Sequence, residues 1–148
     1  MSEQKHEPVL PAEDPDAPKY TYTGNCHCAA NVFTADFTSG PNEGAQATCC
    51  NCSICSKNGD HFVYTKDANV TFLKGGIDNG LTKYEFGPKR IAHYFCPTCG
   101  TSMCARSVDP TFFPGMTALN VRAFKDIDMQ AVALRQVNGK AHGDPYPH

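Results

Sequence analysis

The chain has 148 residues, 41% of them apolar and 19% charged, with a formal net charge of −2. That is the size and composition of one globular domain; it excludes wholesale disorder and offers no basic excess for a polyanionic partner such as nucleic acid. No apolar run approaches the roughly 18–20 residues that a bilayer-spanning helix needs.

Nine cysteines stand in this length. In a secreted protein such density reads as a disulfide framework. The segment Met1 to Lys19, however, carries Glu3, Glu7, Glu13, Asp14 and Asp16 and has no apolar stretch of the kind found in a secretory signal. A cytoplasmic or nuclear location is therefore expected, where thiols stay reduced and short-spaced cysteines favour metal.

Residues 1–18, with Pro8, Pro11, Pro15 and Pro18 among acids and small residues, are expected to form a flexible arm. The folded domain is expected over 19–142, followed by a loose tail over 143–148. Lys19 to Thr23 alternates and is rich in β formers, so it predicts a strand. Asn31 to Phe37 predicts a second, with Phe33, Ala35 and Phe37 on one face. A short strand over 45–49 leads into the thiol-rich stretch, and 53–58 has the length of one helical turn. Further strands are predicted over 61–66, 70–73, 81–86, 90–95, 101–106, 116–123 and 129–137. Asn79-Gly80 suits a tight hairpin, Gly87-Pro88 a turn, and residues 137–140 look loose. Short strands at regular spacing, with Gly, Pro and Asn between them, predict a mainly β, antiparallel single domain.

Three thiol motifs punctuate that pattern. Cys96-Pro97-Thr98-Cys99-Gly100 places two thiolates on one tight turn and directs backbone N–H groups at the sulfurs. Cys26-His27-Cys28 places both sulfurs on one side of an extended segment, with His27 facing away. These two pairs make four ligands from opposite ends of the sheet region, which is what a closed structural zinc site needs. Cys50, Cys52 and Cys55 supply three ligands from one loop. Three protein ligands are the pattern of a catalytic zinc whose fourth corner takes water or substrate. Cys49, His61 or His93 could close that corner instead. Cys49 and Cys104 are expected to be small buried hydrophobes. His61, just after the triplet, is a candidate neighbouring or general-base group, and Lys57 is expected at the surface.

The set Gly24-x-Cys26-His27-Cys28, Cys50-Asn51-Cys52-Ser53-Ile54-Cys55-x-Lys57 and Phe95-Cys96-x-x-Cys99-Gly100-Thr101 resembles the family of glutathione-dependent formaldehyde-activating enzymes and centromere protein V. Leu119-Asn120-Val121-Arg122 extends the resemblance more weakly. It implies an Mss-four-like fold, akin to that of a zinc-bearing Rab-GTPase chaperone. It also implies two zinc ions per chain, a structural one on Cys26, Cys28, Cys96 and Cys99 and a catalytic one on Cys50, Cys52 and Cys55. The implied activity is carbon–sulfur lyase chemistry that joins glutathione and formaldehyde or splits S-hydroxymethylglutathione. Two positions depart from the family pattern. Asn51 stands where a histidine is common, and Ala29 where a glycine often follows the first motif. The expected partner is a small molecule, glutathione first, with a homo-oligomer open. The alternatives are a non-catalytic zinc-stabilised interaction module and a family member recruited to another small-molecule reaction.

Overall fold

The computed structural model describes residues 14–141. Most of the expected N-terminal arm and all of the tail over 143–148 lie outside them. Residues 14–17 close a turn, with Ala17 N donating to Asp14 O at 3.0 Å. Among the described residues no helix is long and apolar enough to cross a membrane.

Among the described residues ten strands form two sheets, and one short helix accompanies them. In chain order they are β1 (Tyr20–Asn25), β2 (Val32–Phe37), β3 (Ala47–Cys50), α1 (Ser53–Asn58), β4 (His61–Lys66), β5 (Val70–Lys74), β6 (Thr82–Tyr84), β7 (Ile91–Phe95), β8 (Ser102–Ser107), β9 (Met116–Asn120) and β10 (Leu134–Val137). A three-stranded sheet runs β1-β2-β5, and a seven-stranded sheet runs β10-β3-β4-β9-β8-β7-β6. The expected mainly β single domain is what the chain forms. Pairing is antiparallel except where β10 lies parallel to β3. A parallel partner needs a long crossover, and here 83 residues separate the end of β3 from the start of β10.

Period-two burial assigns each strand its faces. Along β2, Phe33, Ala35 and Phe37 are buried while the residues between them are not. They meet Tyr22 and Phe124 in an aromatic group with ring centroids 5.5 to 6.1 Å apart. The main core joins this group to Val63, Ala92, Met103, Cys104 and Leu119 from the large sheet. The large sheet buries its other face as well. Phe62 and Ala105, the chain neighbours of Val63 and Cys104, join Cys50, Cys55 and Val137 in a second cluster. One sheet therefore serves two apolar clusters, with successive residues of β4 and β8 going to opposite sides.

Four sequence expectations need correction. Asn79-Gly80 does not make a hairpin: β5 belongs to the small sheet and β6 to the large one, so residues 75–81 carry the chain between sheets. The turn is held by Leu81 N donating to Gly76 O at 2.9 Å. The strand expected over 116–123 stops at Asn120, whose Oδ1 accepts from Arg122 N at 3.2 Å and opens a 3-10 turn over Val121–Ala123. The strand expected over 129–137 is confined to Leu134–Val137. Before it, Asp128 takes Gln130 N on its carboxylate and Ala131 N on its carbonyl, and that local turn competes with extension. The segment expected to be loose at 137–140 is tied down. Asn51 Nδ2 donates to Asn138 Oδ1 at 2.9 Å and Lys140 N donates to Asn51 Oδ1 at 3.0 Å.

Candidate metal and active site

The β1–β2 and β7–β8 connections bring the first group of thiols together. Cys26 N donates to Asn31 O at 3.1 Å and Ala29 N to Cys26 O at 2.9 Å, which closes the first turn. Gly100 N donates to Cys96 O at 2.8 Å and Cys96 N to Thr101 O at 3.0 Å, which closes the second. Gly100 sits at φ +79°, where a side chain would be strained. The sulfurs of Cys26, Cys28, Cys96 and Cys99 all lie within 4.8 Å of one another. Cys28 Sγ is 3.7 Å from Cys26 Sγ and 3.6 Å from Cys96 Sγ. A tetrahedron with metal–sulfur bonds of about 2.3 Å has edges of about 3.8 Å. The donor set and its spacing thus fit a closed four-thiolate metal site.

This group is also hydrogen-bonded from outside. The wholly buried Asn31 donates to Cys26 Sγ from its backbone N at 3.3 Å and from Nδ2 at 3.8 Å, while its Oδ1 accepts from Gly76 N at 2.9 Å. A Cβ at Gly80 would fall 2.7 Å from that same Oδ1. Asn31 therefore links the thiol cluster to the crossover between sheets. Thr101 Oγ1 lies 3.2 Å from Cys99 Sγ and accepts from His27 N at 3.1 Å. The Thr101 hydroxyl, with backbone donors, holds the Cys99 thiol down to about 5. Nothing in the chain's motifs singled out Asn31. A polar residue beginning a strand of buried aromatics was the available signal.

The second group is local. Cys50 ends β3, Cys52 precedes α1 and Cys55 lies on that helix's buried side. Their sulfurs also lie within 4.8 Å of one another. Cys50 is held low, to about 2, by hydrogen bonds from the Cys52 and Cys55 thiols. Cys55 is pushed far up by the same two partners and by burial. Three sulfurs this close cannot all ionise unless a cation compensates them, so the geometry and donor chemistry fit a metal ion. Among the described residues the two clusters are the groups of three or more such ligands that could hold one. Cys49 is in neither.

The triplet opens on a cavity of about 210 Å³ on the outer face of the large sheet. Phe62 and Tyr64 of β4, Ile91 and His93 of β7, and Ala105 of β8 contribute to its walls. His61 does not line it. It is in register with Cys49 on β3, and strand alternation sends it to the opposite side from Phe62. There its Nδ1 is buried without a partner among the described residues, and burial, with Arg122 nearby, lowers its basicity. The imidazole beside the thiols' cavity is His93. It is 8% exposed, its Nδ1 lacks a partner among the described residues, and burial lowers it to about 4. Closeness in sequence to the triplet does not bring His61 to the cavity, because a sheet places neighbours in space and not in sequence. Of the leftover cysteines, Cys104 is buried as expected, whereas Cys49 is only half-buried. Lys57 is exposed on α1.

Comparison with known proteins adds three findings. A family model described as glutathione-dependent formaldehyde-activating enzyme matches residues 21–136. No curated protein matches the chain. A crystal structure of a Rhodobacter sphaeroides protein is similar in fold, with a TM-score of 0.66 and 24% identity, covering 78% of this chain and 99% of that one.

Proposed function

The chain belongs to the glutathione-dependent formaldehyde-activating enzyme family, and on that premise we propose that it is a zinc-dependent carbon–sulfur lyase acting on an adduct of a thiol and a small aldehyde. Cys50, Cys52 and Cys55 would hold the catalytic zinc, and Cys26, Cys28, Cys96 and Cys99 a structural one. The observation that carries this reading is the difference in surroundings. The four outer thiols complete a donor set by themselves, whereas the triplet offers three donors and opens on a cavity.

Zinc held by Cys50, Cys52 and Cys55 would supply Lewis acidity and lower the pKa of a thiol or water beside it. The reaction is a reversible addition. In the joining direction the thiol sulfur bonds to the carbonyl carbon and the thiol proton ends on the carbonyl oxygen; the reverse breaks the carbon–sulfur bond and returns the proton to sulfur. No electron acceptor is needed.

The chain's own residues confine and orient the reactants. The apolar wall of Phe62, Ile91 and Ala105 excludes water and strengthens polar contacts within the cavity. His93 is neutral at pH 7, so its ring offers one donor and one acceptor without a charge. It can take or return the proton of the adduct hydroxyl. That role passes to His93 from His61, which lies on the other face. Asn51 holds the triplet loop to residues 138–140 and thereby positions the thiols.

Metal analysis should find about two zinc per chain, the number implied by two separate thiolate sites. Glutathione and formaldehyde, mixed with the protein and followed by NMR, should reach adduct equilibrium faster than without it. A single equivalent of metal would overturn the two-site scheme. Absence of any rate above background, with glutathione and with other thiols alike, would overturn the lyase reading.

A further inference from the structure

The walls of the triplet's cavity carry more chemical information than the thiols alone. Five aromatic rings line it: Phe62 and Tyr64 from β4, Phe86 from the β6–β7 turn, and Phe112 and Phe113 from the β8–β9 connection. Three separate segments thus deliver rings to one space. They are held in place by contacts of their own. Phe86 packs on His93 at 5.9 Å and on Tyr84 at 5.7 Å. Phe112 meets Phe113 edge-on at 4.4 Å, and the Arg90 guanidinium lies 5.6 Å over its ring. Phe113 adopts φ +47°, a left-handed conformation unusual for a bulky residue, so its ring stands at a backbone position that favours glycine.

Apart from the thiols and His93, the polar part of the lining is small and its Arg106 and Ser107 are already engaged. Among the described residues Arg106 is the one charged residue in the cavity wall. Its Nε donates to Thr117 Oγ1 at 2.8 Å and lies 3.4 Å from Asp67 Oδ1, so its charge is compensated from within. The Ser107 hydroxyl is directed to the carbonyls of Asp109 and Phe112. Among the described residues no carboxylate and no lysine lines the space. Glutathione carries two carboxylates and an ammonium group. Placing those groups against aromatic rings would strip their water without supplying partners. A flat uncharged ring would meet offset and edge-on partners on several sides.

Resting on the reading that the Cys50, Cys52 and Cys55 site is the reacting centre, we propose that its cavity selects a thiol whose body is an uncharged aromatic ring, in place of the charged tripeptide body of glutathione. The matching reaction joins such a thiol to formaldehyde. The sulfur–carbon bond forms, the thiol proton moves to the carbonyl oxygen, and the product is an aryl-bearing hydroxymethyl thioether.

The test compares phenylmethanethiol with glutathione on the zinc-loaded full-length protein, by calorimetric titration and, separately, by the NMR rate of adduct formation with formaldehyde. Phenylmethanethiol is expected to bind at least about tenfold more tightly. Phe86→Ala, at a half-buried turn position outside the main core, should remove most of that advantage. Glutathione binding equally well or better, or no measurable binding of either thiol, would overturn the proposal. Preferential binding of phenylmethanethiol without accelerated adduct formation would uphold the selectivity and overturn the lyase reading on which it was built.

Discussion

The two thiol clusters have nearly the same chemistry and opposite architecture. The outer cluster draws its thiols from turns 68 residues apart in sequence, Cys28 and Cys96 among them, and surrounds them with donors from Asn31 and Thr101. The triplet draws three thiols from one stretch of six residues and faces a cavity. Long-range ligands restrain a large part of the unfolded chain when they are joined, so the outer site is placed to stabilise the fold. Local ligands restrain little, so the triplet can be devoted to chemistry at small expense to stability.

The widest separation between the two should appear in paired substitutions. Cys96→Ser is expected to lose one metal equivalent and about 4 kcal/mol or more of stability, the scale of a lost structural metal. Cys52→Ser should also lose one equivalent, with activity at background but a thermal midpoint close to wild type. Metal analysis with thermal unfolding of both variants checks this, and equal falls in midpoint would erase the distinction.

Asn31→Ala comes next. It leaves Gly76 N without its acceptor and removes the longer of the two donors to the Cys26 sulfur, while the backbone N of residue 31 still reaches it, so about 1–3 kcal/mol should be lost. Urea unfolding would measure it, and the triplet's metal content should not change.

His93 probes the cavity side. Burial lowers it from 6.5 to about 4, so the folded state keeps the ring neutral while the unfolded chain takes up a proton first. Its stabilisation is present above about pH 6.5 and is lost as the pH falls towards 4, with roughly 2 kcal/mol lost by pH 5. His93→Gln should flatten that part of the stability difference between pH 7.5 and pH 5. Acid release of metal affects wild type and variant alike and cancels in the comparison.

The smallest effect is expected at Ala29, which sits at φ +61° in the first thiol turn. Ala29→Gly should stabilise the outer cluster by about 0.5–1 kcal/mol, since glycine relieves the left-handed strain but loses more freedom on folding. Differential scanning calorimetry at fixed metal loading would detect the rise.

Much of this was readable before any fold was known. Alternation along residues 31–37 put Phe33, Ala35 and Phe37 together on one face, which proves to be the buried one, and the Cys-x-x-Cys-Gly turn identified itself through its glycine. The division of seven cysteines into a four and a three followed from spacing alone, and the sulfurs group that way. What failed were inferences from adjacency. His61 looked like the triplet's companion because it follows it closely. Residues 137–140 looked loose because no local motif marks the Asn51 contacts that hold them.

The sequence by itself determined the strand pattern, the ligand types and the division between clusters, because each depends on spacings of a few residues and on the period of a strand. Only the tertiary structure decided what surrounds the triplet. The placement of His93 and not His61 in the cavity wall, the five aromatic rings and the compensated Arg106 all depend on which strands become neighbours. That order, β10-β3-β4-β9-β8-β7-β6, is set by long-range packing and leaves no local trace in the chain.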